Sequence, residues 1–217
     1  MSDRKHVFDT VNRYADGIWN KPGAIVAFDA ALDKLLGLEP TPVPTKPVSD
    51  FDKAVIAHLR DEEGVRPEAY RDHLGYWTIG IGRLIDPRKG GRITPEEDAI
   101  LLANDPSRQG KSWRQYVLTE PEMNMLKLND IERFVSVISK WPAWKAVGDN
   151  IPRKVALTSM AFQLGADGLA KFKNSLRMVE QGRFADAADN FMKSKWARQT
   201  PERAGRVTQM IRTGLFS

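Results

Sequence analysis

Glu62-Glu63-Gly64-Val65-Arg66-Pro67-Glu68-Ala69-Tyr70-Arg71-Asp72-His73-Leu74-Gly75-Tyr76-Trp77-Thr78-Ile79-Gly80-Ile81-Gly82-Arg83 is the stretch on which the reading of this chain turns. A helix-like segment stops at Gly64. Beyond that glycine the residues read as a tight antiparallel ribbon: Tyr70 to Asp72, a His-Leu-Gly turn, and the β-prone run Tyr76 to Ile81. Glu63 closes the helical segment, Asp72 ends the first strand nine positions on, and Thr78 sits six further along the returning strand. Two carboxylates and a hydroxyl are thereby placed to line one cleft.

Outside this stretch, 217 residues leave room for one ordinary domain and a small appendage. A 41% hydrophobic fraction is that of a folded rather than a disordered chain. No window approaches eighteen uninterrupted apolar residues, and Met1 to Thr10 are charged and polar, so neither a membrane span nor a signal segment is expected. The absence of cysteine excludes disulfides, thiolate metal sites and cysteine nucleophiles. The formal charge of +5 is unevenly placed: residues 1 to 50 hold six Lys/Arg against seven Asp/Glu, whereas Arg177 onward holds eight against four. Such a basic surface suits nucleic acid, anionic lipid or an acidic bacterial envelope, and a solvated helical face is the plainer alternative.

Residues 1–38 read as two short amphipathic helices, with apolar stripes at Val7, Val11 and Tyr14 and then at Ile25, Phe28, Leu32, Leu35 and Leu36. Residues 39–49 carry Pro40, Pro42, Pro44 and Pro47, a semi-rigid extended spacer. Asp50 is expected to N-cap a helix with the stripe Val55, Ile56 and Leu59. Thr94-Pro95-Glu96-Glu97 predicts another helix start, residues 104–112 an irregular segment, and Thr119-Glu120-Pro121-Glu122 a capping box. That box launches Met123, Leu126, Ile131, Phe134, Val135 and Ile138, and Trp141-Pro142 marks the helix end. From Asn150 helices succeed one another: an apolar one to Gly165, shorter ones over 174–180 and 184–194, and a last one from Thr200-Pro201 to Gly214. A small antiparallel sheet followed by many helices is an α+β pattern, mainly α.

His6, His58 and His73 have no paired-ligand spacing, so no metal and no cofactor is expected. Gly80-Ile81-Gly82 lacks the third glycine and the helix of a dinucleotide loop. Carboxylate chemistry remains. Hydrolysing a glycosidic bond needs one carboxylic acid to protonate the leaving oxygen and a second carboxylate to activate water or attack carbon. Glu63 at a helix end beside a strand suits the first part, Asp72 at a wetter turn the second, and Thr78 can hold the water. Spacing alone leaves solvated turn carboxylates as the rival reading.

The stretch resembles the T-even phage lysozymes of glycoside hydrolase family 24, in which a Glu, an Asp nine on, a Thr six further and Ile-Gly-Ile-Gly form the active site. Glu63, Asp72, Thr78 and Ile79-Gly80-Ile81-Gly82 fit without a gap. The likeness resumes in Ala161-Phe162-Gln163-Leu164-Gly165, in the run from Phe172 to Met178, in the run from Lys193 to Arg203, and in Arg212-Thr213-Gly214. It implies a two-lobed fold over residues 50–217 and a muramidase that cuts the β-1,4 bond between N-acetylmuramic acid and N-acetylglucosamine with inversion. Glu63 would be the general acid, and Asp72 with Thr78 would activate water; inverting enzymes hold the two carboxyls about 6.5 to 9.5 Å apart. Matched saccharide contacts are Leu84, Phe162, Ser175 and Asn190, with Gln163 beside them. Core packing is the alternative for Leu84 and Phe162, and a helix cap for Ser175. Arg203 falls where the family pairs an arginine with the catalytic Glu, and Arg206 where another pairs with the preceding acid, here Glu62; both are equally readable as surface cations. Two departures stand out. Arg83 and Asp130 occupy the positions of a family His–Asp pair, which predicts an ion pair carried by an arginine, and region 86–116 is longer than its family equivalent.

The segment from Asp16 to Phe28 is faintly similar to small peptidoglycan-binding modules, with Trp19 as the sugar-stacking residue. A docked cap and a contact with another phage protein are the alternatives for residues 1–38. The resemblance as a whole implies an endolysin, a monomer held in the host cytoplasm until lysis and acting on periplasmic peptidoglycan. It would depend on a holin for access, with anionic envelope lipids or lipopolysaccharide as further partners and no nucleic acid. A lytic transglycosylase is the nearest rival, and a basic helical nucleic-acid-binding protein the one from another class.

Overall fold

A computed structural model of the chain describes residues 48–217. The helices expected over 1–38, Trp19 and the proline-rich spacer through Pro47 lie outside the described residues. The expected α+β, mainly α architecture is present: ten α-helices and one three-stranded antiparallel sheet among the described residues. They divide into two compact units, one comprising Glu68–Ile79 and Leu84–Leu118, the other residues 48–67, Gly80–Arg83 and Thr119–Ser217.

Helix α1 spans Asp50–Glu63, and its N-cap is Ser49 rather than the expected Asp50. The Ser49 hydroxyl accepts from the Asp52 amide at 3.1 Å while the Asp52 carboxylate accepts from the Ser49 amide at 3.0 Å, so two otherwise unpaired amides are satisfied together. Asp50 sits in the first turn, where its charge complements the helix dipole. The stripe Val55, Ile56 and Leu59 is buried, each side chain contributing about 1.5–3 kcal/mol of transfer free energy. Gly64 (φ 73°) ends the helix.

The sheet runs β1 (Arg66–Arg71), β2 (Trp77–Gly80) and β3 (Arg83–Leu84), in that order. β1 begins earlier than Tyr70 and stops before Asp72, which belongs to the turn. β3 is a strand the sequence pattern missed, since two residues cannot display a period of two. Gly80 and Gly82, both with φ near +67° (68° and 66°), turn the chain between β2 and β3.

In the first unit, the Ile85 amide donates to the Trp77 carbonyl at 2.9 Å, and the Asp86 carboxylate accepts from the Trp77 amide and from Arg88. These hydrogen bonds, with Arg88 foremost, hold the Asp86 carboxyl far below the ordinary carboxylate range. Helix α2 (Pro95–Asn104) starts at the expected Thr94–Glu97 capping box. The segment beyond it is less irregular than its polarity suggests. Buried Arg108 donates to the Leu101 carbonyl at 3.0 Å and the Val117 carbonyl at 2.6 Å, and Asp98 accepts from Trp113 and Tyr116, each at 3.0 Å. Side chains rather than backbone periodicity organise this region, which is why hydropathy did not reveal it.

The second unit adds α3 (Glu120–Ile138), α4 (Pro142–Ala146), α5 (Ile151–Leu164), α6 (Ala166–Ala170), α7 (Lys173–Glu180), α8 (Phe184–Met192), α9 (Lys195–Gln199) and α10 (Pro201–Thr213). The Thr119–Glu122 box starts α3 and Gly214 caps α10, both as expected; α3 ends at Ile138, before Trp141-Pro142, which opens the short α4 rather than only marking the end of α3. The single helix expected over 184–194 ends at Met192, because Ser194 caps a new turn by accepting from the Ala197 amide at 3.1 Å. Helix α5 is central: every residue from Val155 to Ala161 is buried, and its neighbours include α1, α3, α6 and α10. Phe191, Trp196, Val207 and Met210 close the core around it.

Candidate active site

Glu63 is the last residue of α1, and the backbone of Gly82 comes up against it: a Cβ on Gly82 would lie 3.2 Å from the Glu63 Cβ and 3.4 Å from its Oε2. Arg203, from the first turn of α10, donates through Nη1 to Glu63 Oε1 at 2.6 Å, and its Nη2 is 3.3 Å from the Ser159 hydroxyl of α5. One turn further along α10, Arg206 clasps Glu62 through both oxygens. Burial works against the charge on Glu62, but the Arg206 hydrogen bond and the charges of Arg203 and Arg206 outweigh it, and the carboxyl lies below its ordinary value. His58 Nε2 lies 3.0 Å from the same Ser159 hydroxyl, and burial holds the imidazole below its ordinary value, favouring the neutral ring. The four expected residues Glu62, Glu63, Arg203 and Arg206 therefore meet in one cluster. Its carboxyl Glu63 remains partly open, with a side chain 24% exposed.

Asp72 and Thr78 belong to the hairpin of the first unit. Asp72 Oδ1 accepts from the amides of Leu74 at 2.9 Å and Tyr76 at 2.8 Å, while the Asp72 backbone pairs with Tyr76 and Gly75. The carboxylate is thus fixed in orientation by its own turn. Thr78 is buried, its hydroxyl 3.4 Å from the Tyr76 carbonyl.

The expected saccharide residues fall in separate places. Leu84 lies in β3 and is half-buried, with Gly91 so close that a Cβ there would be 2.6 Å from the Leu84 Cγ. Ser175 is buried within α7 rather than capping it, and it accepts from Asn190 Nδ2 at 2.8 Å. Ser175 and Asn190 line a cavity of about 470 Å³ that Lys171, Phe172, Lys173 and Lys193 also border. The Gln163 amide is engaged at both ends, accepting from Trp196 Nε1 at 2.7 Å and donating to the Thr200 hydroxyl at 3.5 Å. Phe162 is half-buried against Phe134, ring centroids 5.7 Å apart.

Beside Phe162 lies a residue that sequence reasoning passed over. Lys127 of α3 is 1% exposed, its ammonium 3.7 Å above the Phe162 ring and without a hydrogen-bond partner. Burial, with the charges of Arg83 and Arg203 added and that of Glu63 opposing, brings its pKa down to about 7. The signal was present in the sequence: Lys127 stands four residues after Met123 and four before Ile131, on the apolar face of its own helix. The expected Arg83–Asp130 ion pair is also present, buried, and Arg133 joins it at the same carboxylate oxygen, Asp130 Oδ1.

Among the described residues no group of three or more acidic or histidine side chains is placed to hold a metal ion, and no helix is long and apolar enough to cross a membrane.

Residues 60–214 match the phage lysozyme family model. The chain is 33% identical over 165 residues to "Probable T4-type lysozyme 1" of Dictyostelium discoideum, covering 73% of this chain and 94% of that protein. It is 34% identical over 194 residues to the pre-baseplate central spike protein Gp5 of Enterobacteria phage T4, covering 86% of this chain and 32% of that one. A 26% identity over 149 residues links it to the peptidoglycan hydrolase gp36 of Pseudomonas phage phiKMV, with 67% of this chain and 14% of that protein covered. In class the chain is a glycoside hydrolase. More particularly, it belongs to the phage lysozyme family.

Proposed function

We propose that this protein hydrolyses the β-1,4 bond between N-acetylmuramic acid and N-acetylglucosamine in peptidoglycan with inversion at the sugar carbon. Glu63 donates its proton to the glycosidic oxygen as the bond from that oxygen to carbon breaks. Asp72, with Thr78 beside the water, accepts a proton from the water whose oxygen bonds to the carbon from the opposite face. The observation that carries the reading is the Arg203 hydrogen bond to Glu63 at 2.6 Å, which orients a partly exposed carboxyl at the end of α1. The name of the phage phiKMV relative supplies the polymer. Leu84, Phe162, Ser175 and Asn190 are assigned to the saccharide, and Gln163, tied to Trp196, to the support of that wall.

Mass spectrometry of released muropeptides tests the reaction. Hydrated reducing ends are expected, and their loss in Glu63→Gln with the fold intact; 1,6-anhydro ends would give the reaction to a transglycosylase.

Residues 50–217 are proposed as the catalytic domain and residues 1–38 as a wall-binding appendage on the 39–49 spacer, Trp19 its sugar-stacking residue. A chain shortened to begin at Ser49 should keep its product pattern and lose affinity for intact walls. Delivery by a holin, with release at host lysis, is one biological setting. The Gp5 match favours a second, a virion component, because its alignment covers more of the chain than residues 48–217 can supply. Proteomics of purified particles separates the two settings.

A further inference from the structure

Ser159 lies within α5 and is fully buried. A hydroxyl there ordinarily turns back to the carbonyl four residues earlier, as neighbouring Thr158 does by donating to Lys154 at 2.8 Å. Ser159 does not: its oxygen faces His58 Nε2 of α1 at 3.0 Å and Arg203 Nη2 of α10 at 3.3 Å. An alanine would suit a buried helix position with no polar group to desolvate, so the hydroxyl has its reason in these two contacts. Arg203 in turn has few other anchors. Its Nη1 donates to Glu63, its Nη2 reaches the Ser159 hydroxyl and, at 3.4 Å, the Ser159 carbonyl, while its Nε is buried without a hydrogen-bond partner, 3.9 Å from Glu62 Oε2. Among the described residues Ser159 is thus the one hydrogen-bonding residue that fixes this guanidinium besides Glu63 itself.

We propose that His58 and Ser159 are positioning residues for the general acid: the His58 imidazole accepts a hydrogen bond from the Ser159 hydroxyl, whose oxygen then holds Arg203 Nη2 so that Nη1 meets Glu63. The inference rests on the reading of Glu63 as that acid. A guanidinium nitrogen can only donate, so towards Arg203 the Ser159 oxygen is an acceptor, and its own proton needs a taker. His58 Nε2 is the one acceptor at hydrogen-bond distance from that hydroxyl among the described residues. The imidazole must then carry its proton on Nδ1 and leave Nε2 bare. Burial, the largest influence on His58, keeps the ring below its ordinary 6.5, with Arg203 and Arg206 acting in the same sense and Glu62 and Asp61 against it. What passes along this chain is orientation and not charge, since every proton stays on its own atom.

The test pairs kinetics on solubilised peptidoglycan with imidazole nitrogen NMR of the full chain. Ser159→Ala removes the hydroxyl that holds Nη2, and kcat should fall about five- to tenfold with KM unchanged, the size of one hydrogen bond. His58→Leu should lower kcat by roughly threefold in the same manner, and His58→Gln, whose amide reaches the place of Nε2, should recover most of it. Introduced into Arg203→Lys, which lacks the fork to span Glu63 and Ser159, Ser159→Ala should change kcat by less than about twofold. Loss of packing alone would leave His58→Gln no better than His58→Leu. In the nitrogen spectrum at neutral pH, wild type should show His58 with its proton on Nδ1, and Ser159→Ala should displace the Nε2 signal. If Ser159→Ala fails to fold or Arg203→Lys is too slow to measure, the tautomer and the His58→Gln recovery decide alone. A proton on Nε2 instead, or a kcat that Ser159→Ala leaves at the wild-type value while Glu63→Gln is inactive, overturns the roles of His58 and Ser159; an active Glu63→Gln overturns the reading of Glu63 instead.

Discussion

Arg206 holds both oxygens of Glu62, Nε to Oε1 and Nη2 to Oε2, each at 2.9 Å across 144 positions of sequence. The pair anchors the residue before Glu63 to the helix that carries Arg203, so the end of α1 and the start of α10 are registered by two adjacent contacts. Arg206→Ala should cost about 1 kcal/mol at neutral pH, discounted because the arginine is 46% exposed. The Glu62 carboxyl ionises below its ordinary 4.5 in the folded chain, so its contribution is complete above that value and lost as pH falls through the folded one. Urea titrations of wild type and variant should therefore diverge at pH 7 and converge as the pH falls below the folded value of Glu62.

Arg83→Met should be the more damaging change. Asp130 would stay buried with only Arg133, half-exposed, to face it. A loss of about 2–3 kcal/mol is expected, below that of a fully orphaned buried charge. Arg83→Met combined with Asp130→Leu should recover most of it, which a double-mutant cycle in urea would measure.

Gly82→Ala and Gly148→Ala separate strain from contact. Both positions have positive φ, 66° and 56°, but a Cβ at Gly148 meets nothing within 4 Å whereas one at Gly82 meets Glu63. Each should lose roughly 1–2 kcal/mol for the backbone conformation alone. Only Gly82→Ala should also lower kcat, because Glu63 must shift by a few tenths of an ångström. Equal effects of the two on kcat would refute the distinction.

Tyr116→Phe tests the side-chain scaffold of region 86–116. Burial first, and then the hydrogen bond to Asp98, raise the Tyr116 phenol to about 12. Its stabilising contribution is present below the ordinary value of 10 and disappears as pH rises from there through 12. A deficit of about 1 kcal/mol is expected for the variant at pH 7. Ultraviolet difference titration should show one tyrosinate appearing late in wild type and absent from the variant.

The elements with strong local punctuation were legible from sequence. Thr94 and Thr119 with their acidic partners three residues on, and Gly214, placed helix ends because capping is a short-range hydrogen-bond pattern. The cap of α1 lies one residue before the expected Asp50 because Ser-Asp-Phe-Asp offers two capping residues in a row, and only the reciprocal bond between Ser49 and Asp52 selects between them. The segment around Arg108 was opaque since its organisation is a buried guanidinium reaching carbonyls seven and nine positions away, a contact with no periodicity. At the candidate site, Glu63, Arg203, Glu62 and Arg206 were reached through resemblance; spacing alone could not join residues 140 positions apart. Lys127 was visible as a charge in an apolar stripe, and a stripe is usually read for what it contains rather than for what interrupts it.

Ser49 and Asp52 also bear on protein fusion. Because this reciprocal cap closes the first turn of α1 with groups drawn only from the helix and its own lead-in residue, a foreign segment joined ahead of Val48 would meet a terminus at which the Ser49 and Asp52 amides are already engaged. Such a graft asks nothing structural of its partner sequence, so carrier segments could be exchanged at this junction with helix register preserved.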